Sequence, residues 1–181
     1  MKNNHTWVIC AYGESEFLED CILSLQAQTL PSKIICYSST PLDSIKQLCQ
    51  KYGIPFYTKE GGGIGKDWNN ALSFVETSYA TIAHQDDYYE PTYLEAVMQK
   101  IEQSKDILIA YTDYFEEKNG VKIPANTNLK IKTFMLKTLN LMPSSHFWRN
   151  RVLAFGNPIS CPAVTYNLEA LRDFRFDEEM R

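Results

Sequence analysis

The sequence has no run of 18 or more consecutive apolar residues, and so it lacks a segment long enough to span a membrane. Its net charge of −4 gives no overall electrostatic footprint for nucleic acid. Its five cysteines include no Cys-x-x-Cys pair, which favours reduced core residues over zinc ligands or a disulfide framework. The first residues are polar and do not resemble a signal peptide, which together with these absences predicts a cytoplasmic protein. Its expected partners are small molecules and not nucleic acid.

The 181 residues present are 44% hydrophobic and 22% charged, as expected for one globular domain with a substantial core. Short apolar runs alternate with helical patterns over residues 1–112, which predicts an α/β fold with a mostly parallel, Rossmann-like sheet and helices on both faces. Asn119 and Gly120 then mark a hairpin, and hence a short antiparallel addition after residue 112. Later patterns predict a strand over residues 158–166 and a short helix over residues 168–172.

Two adjacent carboxylates, Asp86 and Asp87, follow the apolar run that begins at Tyr79. Open α/β sheets bind ligands at the carboxyl ends of their strands, and paired carboxylates suit Mg²⁺ or Mn²⁺ together with substrate phosphates. The residues therefore predict a metal-bridged phosphate site. The alternative is that the two side chains only solvate a turn and cap the helix that Pro91 opens.

A glycine-rich loop over residues 60–67 permits positive φ angles and close backbone approach to a ligand. It is not a Walker phosphate loop, because Glu60 and Asp67 stand where that motif needs glycine and a hydroxyl residue. Nor is it a dinucleotide fingerprint, because Lys66 replaces its last glycine. A turn without a ligand is the competing interpretation, and a dinucleotide-binding domain is disfavoured.

Four blocks of the sequence, in order, resemble the family 2 nucleotide-diphospho-sugar glycosyltransferases, which have the GT-A fold. The blocks are the first strand with its tyrosine, the first helix with Gln-Ala-Gln-Thr after it, the loop with its asparagine, and the Asp-Asp strand, at residues 8–12, 17–29, 65–72 and 79–91. The resemblance is strong over residues 6–112 and weaker beyond. It implies a single GT-A-like domain over 1–181, with 1–112 as the nucleotide-sugar-binding half and 113–181 as a partial acceptor-side half, incomplete at its C-terminus.

The resemblance also implies transfer of a sugar from a nucleotide-diphosphate sugar, with UDP as the expected carrier, to a saccharide or lipid-linked acceptor. The expected setting is cell-surface polysaccharide biosynthesis. The reaction would be metal-dependent, with Mn²⁺ or Mg²⁺, and inverting. Carried over by position, the resemblance implies a nucleotide-sugar site that comprises Ala11, Tyr12, Glu14, Ser38, Ser39, Lys66, Asn69, Asp86 and Asp87. In this site Asp87 would be the main metal ligand, and Asp86 would contact either the metal or the ribose.

Three departures from the family pattern bear on function. Ser38 and Ser39 stand where the family has carboxylates after the second strand, so hydroxyls or backbone would have to replace that contact to the base. His84 replaces an upstream acidic residue, and we interpret it as an outer-shell or core residue rather than a ligand. The general base is expected beyond Arg181, with Asp177 and Glu178 as weaker candidates.

The absent base leaves a second function open, namely a non-catalytic module that binds nucleotide sugar or a partner chain. Exposed apolar surface near the C-terminus would favour a homodimer. Lys130, Lys132 and Lys137 recur on the exposed side of a predicted helix, where contact with an anionic membrane surface is an alternative to simple solvation.

Overall fold

The computed structural model describes residues 4–103, 107–118 and 120–179. Eight strands and six helices follow one another in these residues. They are β1 His5–Cys10, α1 Leu18–Gln26, β2 Lys33–Tyr37, α2 Asp43–Lys51, β3 Phe56–Tyr57, α3 Ile64–Leu72, β4 Tyr79–His84, α4 Tyr93–Glu102, β5 Ile109–Tyr111, β6 Glu117–Lys118, β7 Val121–Lys122, α5 Thr127–Leu139, α6 His146–Leu153 and β8 Val164–Asn167. None of the described helices has both the length and the apolar character needed to cross a bilayer.

Six of the strands form one sheet in the order β3-β2-β1-β4-β8-β5. The β1 strand is parallel to both β2 and β4, and β2 is parallel to β3, whereas β8 runs antiparallel to β4. The β6 and β7 strands form a separate antiparallel pair. The expected mostly parallel sheet with an antiparallel addition is therefore confirmed; Asn119 of the predicted hairpin turn lies outside the described residues.

Both faces of the sheet are covered by helices, as the alternating sequence pattern predicts. Trp7 and Ile9 of β1 pack with the apolar sides of α1, α2 and α4 in one buried cluster. Val8 points the other way and lies in a second cluster with Ala71 of α3. Because successive strand residues face opposite sides, β1 can serve both clusters and is buried on both faces.

The chain divides into two compact units. One comprises Met1–Ala110 with Val164–Arg181, and the other comprises Tyr111–Ala163. The first unit contains most of the six-stranded sheet, and α5 and α6 lie in the second. The assignment of residues 113–181 to an acceptor side stays a prediction.

The tail departs from the sequence-based prediction in two places. Strand β8 is limited to Val164–Asn167, because Cys161–Ala163 before it form a short 3-10 helix. Residues 168–173 form hydrogen-bonded turns rather than the predicted helix. The side-chain amide oxygen of Asn167 accepts a hydrogen bond from the backbone N–H of Ala170, as a helix N-cap does, and the backbone N–H of Leu171 donates to the carbonyl oxygen of Asn167. This helix-like turn does not continue into a regular helix.

Candidate functional site

A group of three potential metal ligands lies at the carboxyl end of β4, inside the first unit. His84 is the last residue of the strand, and the backbone N–H of Asp87 donates to the carbonyl oxygen of His84 across a tight turn. This turn brings one ligand atom from each of His84, Asp86 and Asp87 within 4.8 Å of one another. The structure thus gathers the two predicted carboxylates and adds the histidine to them.

The environment of Asp87 makes its negative charge costly. Burial raises the pKa of this carboxyl, the nearby His84 opposes the rise, and the charge of Asp86 adds to it. Nδ1 of His84 lies 3.8 Å from Oδ2 of Asp87, beyond an ordinary hydrogen bond. Asp87 is half-buried and Asp86 is exposed, and a cation bound between two neighbouring carboxylates would offset their mutual repulsion.

The His84 ring is fixed by stacking rather than by hydrogen bonds. Its centroid lies 5.6 Å from that of Trp68 of α3, with the rings inclined by 29°. Its Nε2 atom is buried and has no hydrogen-bond partner among the described residues. A buried imidazole nitrogen without a partner carries a desolvation cost. The ring nitrogen that faces Asp87 is the other one, Nδ1. The two carboxylates suit Mn²⁺ or Mg²⁺, whereas an imidazole is not a typical ligand of Mg²⁺.

The ends of β1 and β4 are joined by a side-chain amide next to the acidic pair. Nε2 of Gln85 donates to the carbonyl oxygen of Tyr12 at 2.8 Å, and the backbone N–H of Tyr12 donates back to Oε1 of Gln85 at 3.1 Å. The amide therefore holds the main chain of residue 12 beside the carboxylates. Ala11 is buried, whereas the side chains of Tyr12 and Glu14 are exposed.

The end of β2 receives a carboxylate from another element. Ser39 donates to Oδ2 of Asp67 at 2.8 Å, and the Tyr37 hydroxyl donates to Oδ1 of the same side chain at 3.3 Å. Ser38 is buried and accepts from the backbone N–H of Thr40. The acidic group that the sequence after β2 lacks is thus supplied by α3. Sequence analysis missed Asp67 in this role, because no local pattern links position 67 to position 39.

The glycine-rich loop approaches its own chain closely. Gly63 has a φ of 121° at the N-cap of α3, which explains glycine there. A Cβ atom on Gly65 would lie 1.9 Å from the carbonyl oxygen of Asp177. The close approach at Gly65 is therefore made by the C-terminal segment, and a ligand at the glycine-rich loop stays a prediction. The Lys66 side chain folds over the loop against Gly62, and its predicted contact with the nucleotide is untested.

The predicted nucleotide contact Asn69 bonds the same C-terminal segment. Its Nδ2 donates to the carbonyl oxygen of Phe176 at 3.0 Å, and the backbone N–H of Phe176 donates to its Oδ1 at 2.9 Å. The Phe176 ring packs edge-on against Trp68, with centroids 4.9 Å apart. The segment over residues 174–179, which we call the docked tail, is thereby tied to the helix that also supports His84.

Both candidate bases lie on this docked tail and both are exposed. Oε1 of Glu178 accepts a further hydrogen bond from Nδ2 of Asn69 at 3.2 Å. Oδ1 of Asp177 accepts from the backbone N–H of Glu179 at 2.9 Å. Each carboxylate therefore already has a partner within the tail or on α3.

A mostly parallel sheet with an acidic pair at its carboxyl edge is the arrangement in which open α/β proteins bind ligands. The sequence model of glycosyl transferase family 2 matches residues 6–157. The chain belongs to this family, so the resemblance seen in the sequence is confirmed.

Several solved structures share the fold. The crystal structure of S. aureus TarS 1-349 has a TM-score of 0.67 and 18% sequence identity, and the match covers 97% of this chain and 50% of that one. A mannosyltransferase, PcManGT from Pyrobaculum calidifontis in complex with GDP-Man and Mn²⁺, also has a TM-score of 0.67, at 11% identity over 97% of this chain and 48% of the other. The expected GT-A fold is thereby confirmed.

A curated relative is the glycosyltransferase GlyA of Streptococcus pneumoniae serotype 4, which is 24% identical over 123 residues. The match covers 64% of this chain and 18% of GlyA. This chain therefore spans less than a fifth of GlyA and about half of the two structural neighbours.

Proposed function

We propose that this chain is the donor-binding part of a metal-dependent, inverting glycosyltransferase that uses a uridine diphosphate sugar. The observation that carries the proposal is the convergence of His84, Asp86 and Asp87 at the carboxyl end of β4. Ligands of open α/β sheets bind at this edge. Support for the carrier comes from S. aureus TarS, whose solved structures include a complex with UDP and another with UDP-GlcNAc.

Asp87 and Asp86 would hold Mn²⁺ or Mg²⁺, with His84 as a third ligand or as an outer partner of Asp87. When bound, the metal would neutralise charge on the departing diphosphate. PcManGT was solved with GDP-Man and Mn²⁺, which supports a divalent cation beside a nucleotide sugar in this fold. Stacking on Trp68 keeps the His84 ring in place, and the turn from His84 to Asp87 fixes the spacing of the carboxylates.

The nucleotide would lie along the ends of β1 and β2. The exposed Tyr12 ring offers a stacking surface for the base, with Ala11 and Glu14 beside it. Ser38 and Ser39 would supply polar contacts, and Asp67 would replace the carboxylate that the family has after the second strand. Lys66 would place its positive charge near the phosphates. Asn69 would act on the donor indirectly, through its bonds to the docked tail.

In an inverting displacement the acceptor oxygen bonds to the anomeric carbon while the bond to the diphosphate breaks, and the acceptor proton passes to a base. Asp177 and Glu178 are the described candidates, yet both accept hydrogen bonds inside the docked tail or from α3. This engagement favours a second candidate function for the 181 residues alone, namely binding of a nucleotide sugar without turnover. The saccharide or lipid-linked acceptor and a role in cell-surface polysaccharide assembly stay predictions.

Calorimetric titration of UDP and UDP-sugars, with Mn²⁺ and with a chelator instead, tests the proposal. We expect binding that depends on the metal. Donor hydrolysis or transfer that disappears in Asp87→Asn would establish catalysis by this chain, whereas binding without turnover would support the binding module. Absence of metal-dependent binding with every nucleotide tested would contradict both functions.

A further inference from the structure

The net charge of −4 conceals a strong segregation of charge along the chain. Residues 118–168 contain seven lysines and arginines and no aspartate or glutamate, so the remaining residues carry 11 basic and 22 acidic side chains. The basic stretch falls largely in the second compact unit, Tyr111–Ala163. This part of the chain is therefore strongly basic, although the net charge of the whole chain is negative.

The outer side of α5 combines this positive charge with exposed apolar groups. Leu129, Leu136 and Leu139 form its buried side. The opposite side, which we call the outer α5 face, continues into the turn after the helix and comprises Lys130, Ile131, Phe134, Lys137 and Leu141, all exposed. These positions recur every three or four residues, so they lie along one stripe. The stripe is apolar and cationic where a solvated face would be polar.

The two largest apolar groups of this face are well exposed, with Phe134 at 70% and Leu141 at 72% of their full accessibility. The α6 helix shows the same mixture, because the Arg151 guanidinium lies 5.1 Å from the centroid of the exposed Phe147 ring. Phe155, just after α6, is 89% exposed. This many exposed aromatic and aliphatic side chains are unusual for a protein surface that contacts only solvent.

The basic groups of these two helices form no ion pairs within the described part of the chain. The five basic side chains of α5 and α6 are Lys130, Lys132, Lys137, Arg149 and Arg151, and no described carboxylate makes an ion pair with any of them. Their contacts are with neutral groups, such as the Tyr114 hydroxyl for Lys132 and the Pro143 carbonyl oxygen for Arg149. Their charge therefore remains available to an anionic partner.

We propose that the outer α5 face docks the protein peripherally on an anionic lipid surface. Basic side chains are attracted to anionic headgroups, while phenylalanine and leucine side chains enter the boundary between headgroups and acyl chains. The outer α5 face has both components on one stripe. The docking would be reversible, because it relies on a few side chains rather than on a spanning segment.

Other partners satisfy only part of this surface. The phosphates of a nucleic acid would pair with the lysines. They would also leave the apolar side chains of Phe134 and Leu141 against a highly charged backbone, because protein–nucleic acid interfaces are polar. A second copy of the chain would bury the apolar groups but would bring two acid-free basic faces together, which is repulsive. An anionic bilayer is complementary to both the charge and the apolar groups.

Co-sedimentation with vesicles tests the proposal. We expect the 181-residue chain to bind vesicles of equal parts phosphatidylglycerol and phosphatidylcholine and to remain in solution with phosphatidylcholine alone. Binding should weaken strongly at about 1 M salt, where the Debye length is about 3 Å. The double variants Lys130→Glu with Lys137→Glu and Phe134→Ser with Leu141→Ser should each lower the partition coefficient about tenfold.

The matched control is Lys46→Glu with Lys100→Glu, which makes the same charge change on α2 and α4 of the first unit and should alter binding far less. Circular dichroism and thermal unfolding verify that each variant is folded. The proposal is overturned if the wild-type chain does not bind anionic vesicles. It is also overturned if Lys46→Glu with Lys100→Glu weakens binding as much as Lys130→Glu with Lys137→Glu. It is also overturned if Phe134→Ser with Leu141→Ser abolishes a dimer seen in sedimentation while leaving vesicle binding unchanged.

Discussion

Two histidines at opposite ends of the same pair of strands have different surroundings. His5 begins β1 and pairs in register with Tyr79, whereas His84 ends β4 and pairs with Cys10. His5 is fully buried, with Nδ1 2.9 Å from the Ser32 hydroxyl and Nε2 2.9 Å from the Thr81 hydroxyl. Nε2 of His84 is buried and finds no partner in residues 4–103, 107–118 and 120–179, and its Nδ1 faces Asp87 at 3.8 Å.

The difference shows how to separate structural from functional polar groups in this chain. At the amino end of the parallel strands both ring nitrogens of His5 have hydrogen-bond partners within the protein, so this histidine requires no ligand. At the carboxyl end His84, Asp86 and Asp87 are gathered but not mutually satisfied. An unpaired polar atom does not mark a site by itself, because the buried indole Nε1 of Trp7 also has no partner among the described residues. The place of His84 is what distinguishes it, since this edge of the sheet is where such folds bind ligands.

The largest effect is expected at the acidic pair. Asp87→Asn should weaken Mn²⁺-dependent UDP binding at least about 100-fold, or about 2.7 kcal/mol, because it removes a charged metal ligand. Asp43→Asn on α2 is the matched control, because this exposed carboxylate pairs only with Lys46 in its own helix, and it should leave UDP binding unchanged. Isothermal titration calorimetry of both variants checks the difference. Equal UDP affinities of the two variants would show that Asp87 is not part of the site.

The same substitution should not destabilise the fold. Because burial raises the pKa of Asp87, the charged form lowers stability above the unfolded-state pKa, and the folded protein gains stability as pH falls through the raised value. Replacing the carboxylate with a neutral amide removes this cost at neutral pH. Urea unfolding should therefore show Asp87→Asn to be at least as stable as the wild type while its metal binding is lost.

His5 should make stability depend on pH. Burial lowers the pKa of His5 to about 3 from an ordinary 6.5, so between these values the unfolded chain binds a proton that the folded chain does not. Its contribution to stability is complete above pH 6.5 and is lost as pH falls toward 3. At pH 5 the loss is about 2 kcal/mol relative to pH 7.

Chemical unfolding at pH 7 and pH 5 measures this loss, with His5→Gln as the test variant and the exposed His146→Gln as the control. The difference between the two pH values should shrink by about 2 kcal/mol in His5→Gln and remain in His146→Gln. If His5→Gln keeps the wild-type dependence, the burial of a neutral imidazole is not its cause.

A smaller effect is expected at His84. His84→Gln should weaken Mn²⁺ binding about tenfold, as expected for a group that supports a metal-bound carboxylate or binds weakly itself. Trp68→Phe is a useful companion, because it keeps an aromatic ring beside position 84 and should preserve most of the affinity. An unchanged Mn²⁺ affinity in His84→Gln would place the histidine in the core, like His5.

The smallest effect is expected at the docked tail. Asn69→Ala removes the paired hydrogen bonds to the main chain of Phe176, which should weaken tail docking by about 1 kcal/mol and raise trypsin cleavage at Arg175 about fivefold. Gln26→Ala is the control, because the Gln26 amide bonds the Tyr52 carbonyl elsewhere on the surface. Unchanged cleavage in Asn69→Ala would mean that the tail is held by Phe176 packing alone.

The parallel core could be predicted from sequence because its strands are continuous apolar runs and its helices have clear periodicity. The carboxylates at the end of β4 could be predicted for the same reason, since a buried strand followed by polar residues marks the sheet edge. Cysteines 10, 21, 36 and 49 lie in those apolar runs and are all free and at least half buried, as their placement predicted, whereas Cys161 is exposed and its interpretation as a core residue was wrong.

The contacts that complete the site could not be predicted, because they join residues far apart in the sequence. Asn69 and Phe176 are separated by 107 positions, and Ser39 and Asp67 by 28. Single-sequence patterns carry no information about such pairings. The α6 helix was also missed, since its exposed Phe147 and Leu153 obscure the helical periodicity by which a buried face is recognised.

Electron paramagnetic resonance of Mn²⁺ tests the central claim most directly, because the signal of the free hydrated ion falls when the protein binds it. Titrating the wild-type chain with Mn²⁺ in the presence of UDP should remove one equivalent of free signal per chain beyond what UDP alone removes, and Asp87→Asn should remove no more than UDP alone. A free signal that is unchanged by the wild-type chain with UDP would contradict a divalent metal site at the end of β4.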